Sequence, residues 1–282
     1  MSEVGLAKPE MHFEAAYSRL LSAAFDGPGS SRDPARVLIC TTPRTAGHTY
    51  CMVMRHFGLG QPTEYFQWQF AVPLLRRWTG EDTIDHLALD RLAASYGRHL
   101  LEKRSVNGVF AAKLFLGNLD FAHRSIGRDS ANSFYVFLSR RNKVDQTVSL
   151  LSMLYTGQPF DGAEMLPGIP KLQTISQKAV IDTVRHIADC EARWRSYLST
   201  IDAARVVHVA YEDFVTDPYE NVRATMRNWF PAHDLDRAAA AESRRYGNDT
   251  AVKTLVARQF GALIRDLWRD MPVAADRSPS AP

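Results

Sequence analysis

The sequence predicts an α/β fold, an open and mainly parallel sheet flanked by helices. Three observations predict it. Four short apolar, β-branched runs recur along the chain: "ARVLIC" (35–40), "VFAAKLFL" (109–116), "SFYVFLS" (133–139) and "RVVHVAY" (205–211). Helical stretches separate them, and strands alternating with helices build parallel sheets. The first run leaves through "TTPRTA" straight into "GHTYCMVMRHFG", a helix that stops at Gly58.

Each element follows from its own stretch. Residues 1–34 read as a tail, a short amphipathic helix over 11–25, and a linker of turn residues, "DGPGSSRDP". Residues 35–270 read as one domain. The strand at 133–139 runs into the helix "NKVDQTVSLLSMLY", and the strand at 205–211 into the turn "EDFVTDP" and the helix "PYENVRATMRNWF". Helical regions at 83–104 and 177–199 supply the rest; in the second, Val180, Ile181, Val184, Ile187, Ala188 and Cys190 share one face, a core stripe. The stretch 156–171 reads as a long loop and 271–282 as a disordered tail.

Composition narrows the function. The chain has 282 residues, 45% hydrophobic and 23% charged, with net charge +3. It is long enough to bury a large core. No Lys/Arg run of the kind that grips nucleic acid occurs, so a small anionic ligand fits better than a polymer. Cys40, Cys51 and Cys190 have no metal-ligand or disulfide-framework spacing and read as reduced, buried thiols of a cytoplasmic protein. The first residues do not have the form of a signal peptide, and no apolar run is long enough to span a membrane.

Two clusters carry chemistry. In "VLICTTPRTAGHTY" (37–50) a strand turns into a helix, and the helix's free N–H groups and positive end face one spot, suited to phosphate or sulfate. Arg44 adds a planar cation, and Thr45 and Thr49 add hydroxyls. The ATPase signature G-x-x-x-x-G-K-[ST] is absent, and with it the hydroxyl that holds magnesium, so the anion is expected to be held without a metal. The second cluster is "SRRNKVDQTVSLL" (139–151), where Arg140 and Arg141 open a helix and Ser149 follows two turns on. Two arginines there oppose the helix dipole unless an anion is near, which favours a ligand. Between the clusters, "PTEYFQ" offers Glu64 in a loop as a general base.

Together "TTPRT", "PTEYFQ", "AAKLF" and "RRNKVDQTVSLL", with "VAYEDFVTDPYENVRATM" near the end, resemble the bacterial trehalose 2-sulfotransferase family across roughly residues 35–230. The resemblance implies a P-loop-like sulfotransferase fold and a donor, 3′-phosphoadenosine 5′-phosphosulfate. It places Arg44, Thr45, Ala46, Gly47, His48 and Thr49 around the 5′-phosphosulfate, Arg140 or Arg141 with Ser149 on the 3′-phosphate, and Glu64 as base. Lys113 falls where the family has a lysine on a strand near the site. The acceptor would be a small molecule, sugar or glycolipid, with Tyr65, Phe66 and other aromatics of 65–105 and 156–171 shaping its pocket; the resemblance also admits a homodimer.

The family loop reads R-S-G-S-T-L. Aligned without a gap, its glycine becomes Ala46, its second serine Gly47 and its threonine His48. With Ala46 inserted, Gly47 and Thr49 stay in place and His48 replaces the serine. Either way a histidine enters the donor loop, to stabilise charge on the leaving phosphate, to pack into the helix, or to mark a fold that binds nucleotide or a partner without transfer. A kinase-like phosphotransferase is the remaining rival.

Overall fold

The structure, a computed structural model, describes residues 19–27, 33–128, 131–156, 175–236 and 250–271. The predicted tails, most of the predicted first helix and linker, and nearly all of the 156–171 loop lie outside the described residues.

Strands β1 (Ala35–Thr41), β2 (Val109–Phe115), β3 (Ser133–Ser139) and β4 (Val206–Ala210) form one sheet in the order β2-β1-β3-β4. Every pairing is parallel, with Ile39 opposite Lys113 on one side and Val136 on the other. The predicted fold class is therefore the observed one. Strand side chains alternate between two cores. Leu38, Cys40, Phe110, Ala112, Tyr135 and Phe137 face one, while Val37, Ile39, Val109, Ala111, Val136 and Leu138 face the other. A sheet buried on both faces explains why these strands are nearly continuous apolar runs.

Helix α1 (Gly47–His56) covers the second face with Tyr50, Cys51, Val53 and Met54. It ends where predicted. Gly58, at φ 69°, donates to Arg55 O at 3.0 Å and Leu59 to Met54 O at 3.0 Å, the two bonds of a Schellman motif. Next comes α2 (Trp68–Thr79), a stretch the sequence reading left unassigned, with Pro73 inside it. Its Phe70, Ala71, Val72, Leu74 and Leu75 are buried, and that packing overrides the proline. The region 83–104 divides into α3 (His86–Arg91) and α4 (Ala93–Arg104).

Helix α5 (Leu119–Ile126) follows β2, and α6 (Lys143–Thr156) follows β3. Helix α7 (Gln177–Leu198) starts on a capping bond from Ala179 N to Ser176 Oγ. Beyond β4 come the short α8 (Tyr211–Phe214) and α9 (Pro218–Trp229), the latter with Asp217 as cap and Pro218 at its first turn. Helix α10 (Thr250–Asp270), not singled out from the sequence, packs Val252, Val256, Phe260 and Ile264 against α6 and α7.

Two expectations change. Cys40 and Cys51 are buried free thiols, but Cys190 is only half-buried, because its helix turns that position away from Val184 and Ile187. Asp26 and Gly27, read as linker, are fastened to the domain. Asp26 takes two bonds from Arg77 at 2.7 and 2.8 Å, and Gly27 donates to Lys103 O at 2.6 Å. Among the described residues, no helix is long and apolar enough to cross a membrane.

Helices α4 and α5 touch backbone to backbone at Gly97, where an added Cβ would lie 1.7 Å from Ser125 O. Gly97→Ala is expected to cost about 1–3 kcal/mol, lowering Tm by about 2–4 °C for each kcal/mol. Thermal unfolding checks it; an unchanged Tm would mean that the two helices do not pack this closely.

Candidate functional site

The carboxyl ends of β1 and β3 lie side by side, and the chain leaves each through one of the two predicted clusters. A crevice outside the strand ends at such a switch point is where open α/β sheets bind ligands. The first loop is held from below. Trp194 Nε1 donates to Thr41 O at 3.2 Å, and Gln146 Nε2 donates to Pro43 O at 2.8 Å and Thr42 Oγ1 at 3.0 Å. Its carbonyls are thus tied inward.

Arg44 and Ala46 both adopt left-handed backbone, at φ 67° and 60°. Such residues cost on the order of 1–3 kcal/mol each, and a left-handed residue leading into the right-handed first turn of a helix makes a concavity of N–H groups suited to an anion. Ala46 also stands at the cap of α1 with no side-chain capping bond. The left-handed position falls on Ala46, where the ungapped alignment puts the resembling family's glycine.

The structure brings the two clusters together. Arg44 Nε donates to Ser149 Oγ at 2.9 Å. The arginines ahead of α6 part company. Arg141 is held by both oxygens of Asp213, at 2.8 and 2.5 Å, while Glu212 accepts the backbone N–H of Arg141 at 3.0 Å and of Asn142 at 2.9 Å. The anion that the paired arginines called for at this helix end is therefore supplied by the chain's own acidic pair. Arg140 lies over the Tyr211 ring at 4.3 Å, and its buried Nε has no hydrogen-bond partner among the described residues.

Glu64 reaches the first loop through β2. Gly60, at φ 80°, runs so close to β2 that a Cβ would meet Ala111 N at 2.9 Å. Three residues on, Thr63 O accepts Lys113 N–H at 2.9 Å. That bond sets Glu64 beside Lys113, whose Nζ is 2.6 Å from Glu64 Oε1. The flanks are pinned as well: Tyr96 donates to Tyr65 O at 2.7 Å and Asn118 to Phe66 O at 2.6 Å. Gln67 Nε2 holds Glu64 Oε2 at 2.5 Å, and His48 Nε2 stands 3.4 Å from Oε1.

Lys113 departs from the strand pattern. It shares the face of Val109 and Ala111, which is otherwise apolar and covered by α1, yet it is only 7% exposed. Its stem crosses the first residue of that helix, so that a Cβ on Gly47 would meet Lys113 Cε at 2.8 Å. Gly47 thus clears the path for a lysine that reaches the first loop from a neighbouring strand.

Charge follows from this packing. Burial by itself would raise the Glu64 carboxyl, but Lys113, then His48 and Gln67, hold it below its ordinary value. Lys113 first and burial second push the His48 imidazole from 6.5 to about 3, against the pull of Glu64. With its side chain 40% exposed, His48 is partly screened by water, and the conclusion is the direction: a neutral ring at pH 7 beside an ionised carboxylate.

Three predicted roles move. The Thr45 hydroxyl points inward, 2.5 Å from Thr41 Oγ1 and 3.0 Å from Thr42 O, so only its backbone N–H is placed for a ligand. Tyr65 and Phe66, expected to shape an acceptor pocket, are core residues at 0% and 2% exposure, because their backbone clamps Glu64 while their rings face inward. Trp68 instead presents its ring to solvent at the start of α2. Among the described residues, no group of three or more His, Cys, Asp or Glu side chains is gathered to hold a metal ion.

The sequence model of the Stf0 sulphotransferases matches residues 36–249. The chain belongs to the Stf0 sulphotransferase family. The match takes in both loops, Glu64, Lys113 and Ser149, and agrees with the resemblance drawn from the motifs. Similar solved structures include a sulfotransferase from Mycobacterium avium (13% identity, 89% of this chain and 81% of that chain, TM-score 0.42). Others are a sulfotransferase from Alicyclobacillus acidocaldarius (14%, 85% and 100%, 0.45) and a sulfotransferase domain from the curacin biosynthetic pathway (14%, 87% and 94%, 0.42). No curated protein matches the chain.

Because the folded His48 binds its proton only near pH 3 while the unfolded one binds it near 6.5, its share of stability is complete above pH 6.5 and is lost as pH falls toward 3. His48→Gln keeps an N–H donor toward Glu64 without the titration. Chemical denaturation as a function of pH is expected to show the wild type losing stability between pH 6.5 and 4.5 more steeply than H48Q; parallel curves would contradict the assignment.

Proposed function

We propose that this Stf0-family protein moves a sulfuryl group from 3′-phosphoadenosine 5′-phosphosulfate to a hydroxyl of a small-molecule or carbohydrate acceptor, with Glu64 as base. The observation that carries this is the placement of a buried, ionised carboxylate within 3.4 Å of His48, the second residue of the helix that opens from the donor loop. A base belongs where the acceptor oxygen meets a group held at that helix end.

The bound donor would supply the sulfuryl group and a phosphate leaving group. Arg44 and the N–H groups of Thr45, Ala46, Gly47, His48 and Thr49 hold its phosphosulfate, with Lys113 at the same helix end. Glu64 takes the proton from the acceptor hydroxyl as the new oxygen–sulfur bond forms. Arg44 and the loop N–H groups stabilise the phosphate oxygen that keeps the electron pair of the broken sulfur–oxygen bond, a role worth about 3–4 kcal/mol of barrier for one such donor.

For the 3′-phosphate we favour Arg140 with Ser149. Arg141 is committed to both oxygens of Asp213, whereas Arg140 faces Asp145 only at 3.6 Å and its buried Nε has no hydrogen-bond partner among the described residues. The acceptor approaches past Gln67 and Trp68, the residue that steadies Glu64 and the exposed ring next to it. Free thiols suit a reducing compartment, here the cytoplasm.

Two outcomes follow. Glu64→Gln is expected to slow transfer by about 10²–10⁴-fold while adenosine 3′,5′-bisphosphate still binds; turnover at the wild-type rate, followed by release of labelled sulfate to an acceptor library, would remove Glu64 from the mechanism. Arg140→Ala is expected to weaken binding of that nucleotide at least tenfold, and Arg141→Ala far less, because Arg141 already spends its charge on Asp213. Calorimetric Kd values check this, and the reverse ranking would give the 3′-phosphate to Arg141.

A further inference from the structure

The proposed base is held from three sides. Glu64 Oε1 faces Lys113 at 2.6 Å and His48 at 3.4 Å, and Oε2 takes Gln67 at 2.5 Å. An acceptor hydroxyl needs one of these oxygens. Gln67 comes from the same loop and His48 is neutral, so Lys113 is the strongest of the three holds. Lys113 is also the one placed to let go. Its Cε passes over Gly47 at the amino end of α1, its Nζ lies 3.6 Å from where a Cβ would stand on that glycine, and an ammonium carries three donors that need not all serve one partner.

We propose that Lys113 couples the donor to the base: it pairs with Glu64 beside the helix end and divides its ammonium between Glu64 and a phosphosulfate bound there, loosening its hold on Oε1 for the acceptor hydroxyl. The inference rests on the sulfuryl-transfer reading. It makes Lys113 a positioning residue that arms Glu64 only when there is a group to transfer.

The charges around the carboxylate support this. Facing Glu64 are Lys113 from β2, His48 from α1 and Gln67 from its own loop, with Arg44, Arg55 and the buried Cys51 thiol farther round. Burial favours the protonated carboxyl, and Lys113 is the first influence opposing it. When Lys113 turns part of its charge to a bound anion, and that anion adds its own negative field, the balance moves toward a carboxylate that wants a proton, as a base should.

The test is proton linkage. Binding of adenosine 3′,5′-bisphosphate is measured by calorimetry near pH 6 in two buffers of different ionisation heat, for the wild type, Glu64→Gln, His48→Gln and Lys113→Met. The coupling predicts that the wild type takes up a fraction of a proton more per nucleotide than E64Q, that H48Q retains the part of this excess due to Glu64, and that K113M loses it because its Glu64 is not clamped beforehand. Equal proton counts in wild type and E64Q, or an excess that disappears in H48Q instead, would overturn the coupling while leaving sulfuryl transfer standing. Absence of binding to the wild type would overturn the transfer reading and the coupling with it.

Discussion

The ion pair between Lys113 and Glu64 is the constraint around which the site is built. Two charges out of water are a liability unless their geometry is good, and breaking such a pair typically costs about 3–5 kcal/mol. Much of the surrounding structure serves to bring them together. Gly60 lets the loop lie against β2, Thr63 bonds the Lys113 backbone, and Gly47 leaves room for the lysine stem. The pair then fixes the charge state of His48 at the start of α1. In an ATPase-type loop the lysine belongs to the loop itself. Here it enters from the neighbouring strand, and the loop is free to carry Ala46, Gly47 and His48.

The second organising contact joins the two halves of the crevice. Gln146 and Ser149, one turn apart on α6, hold the first loop through Thr42, Pro43 and Arg44. The α6 end closest to β3 is satisfied internally by Glu212 and Asp213. Arg44 and Ala46 remain in left-handed backbone because Trp194 and Gln146 fix the carbonyls beneath them. Backbone strain is here held in place by tertiary bonds.

How much of this could be read from the sequence follows from the range of the interactions. Strands and α1 are local patterns, and their parallel pairing follows from alternation with helices. The motifs of both loops, Glu64 and Lys113 are also local, and they led to the family before any coordinates. Helix α2 was left unassigned, and the cost of Pro73 inside it is offset by burial of five neighbours that no local rule weighs. Helix α10 was legible in principle, since Val252, Val256, Phe260 and Ile264 repeat every four residues. Partners far apart in sequence were not legible: Asp213 lies 72 residues from Arg141, and Ser149 lies 105 from Arg44. The aromatics of "EYFQW" misled for the same reason. Tyr65 and Phe66 read as a ligand surface until the sheet and Tyr96 turned them inward.

The most direct measurement is a structure of the protein with adenosine 3′,5′-bisphosphate. The account predicts the 5′-phosphate at the amino end of α1, against the N–H groups of residues 45–49 and within reach of Lys113 Nζ, and the 3′-phosphate between Arg140 and Ser149. A nucleotide bound elsewhere, or bound in this crevice with Lys113 still closed on Glu64 alone, would contradict it.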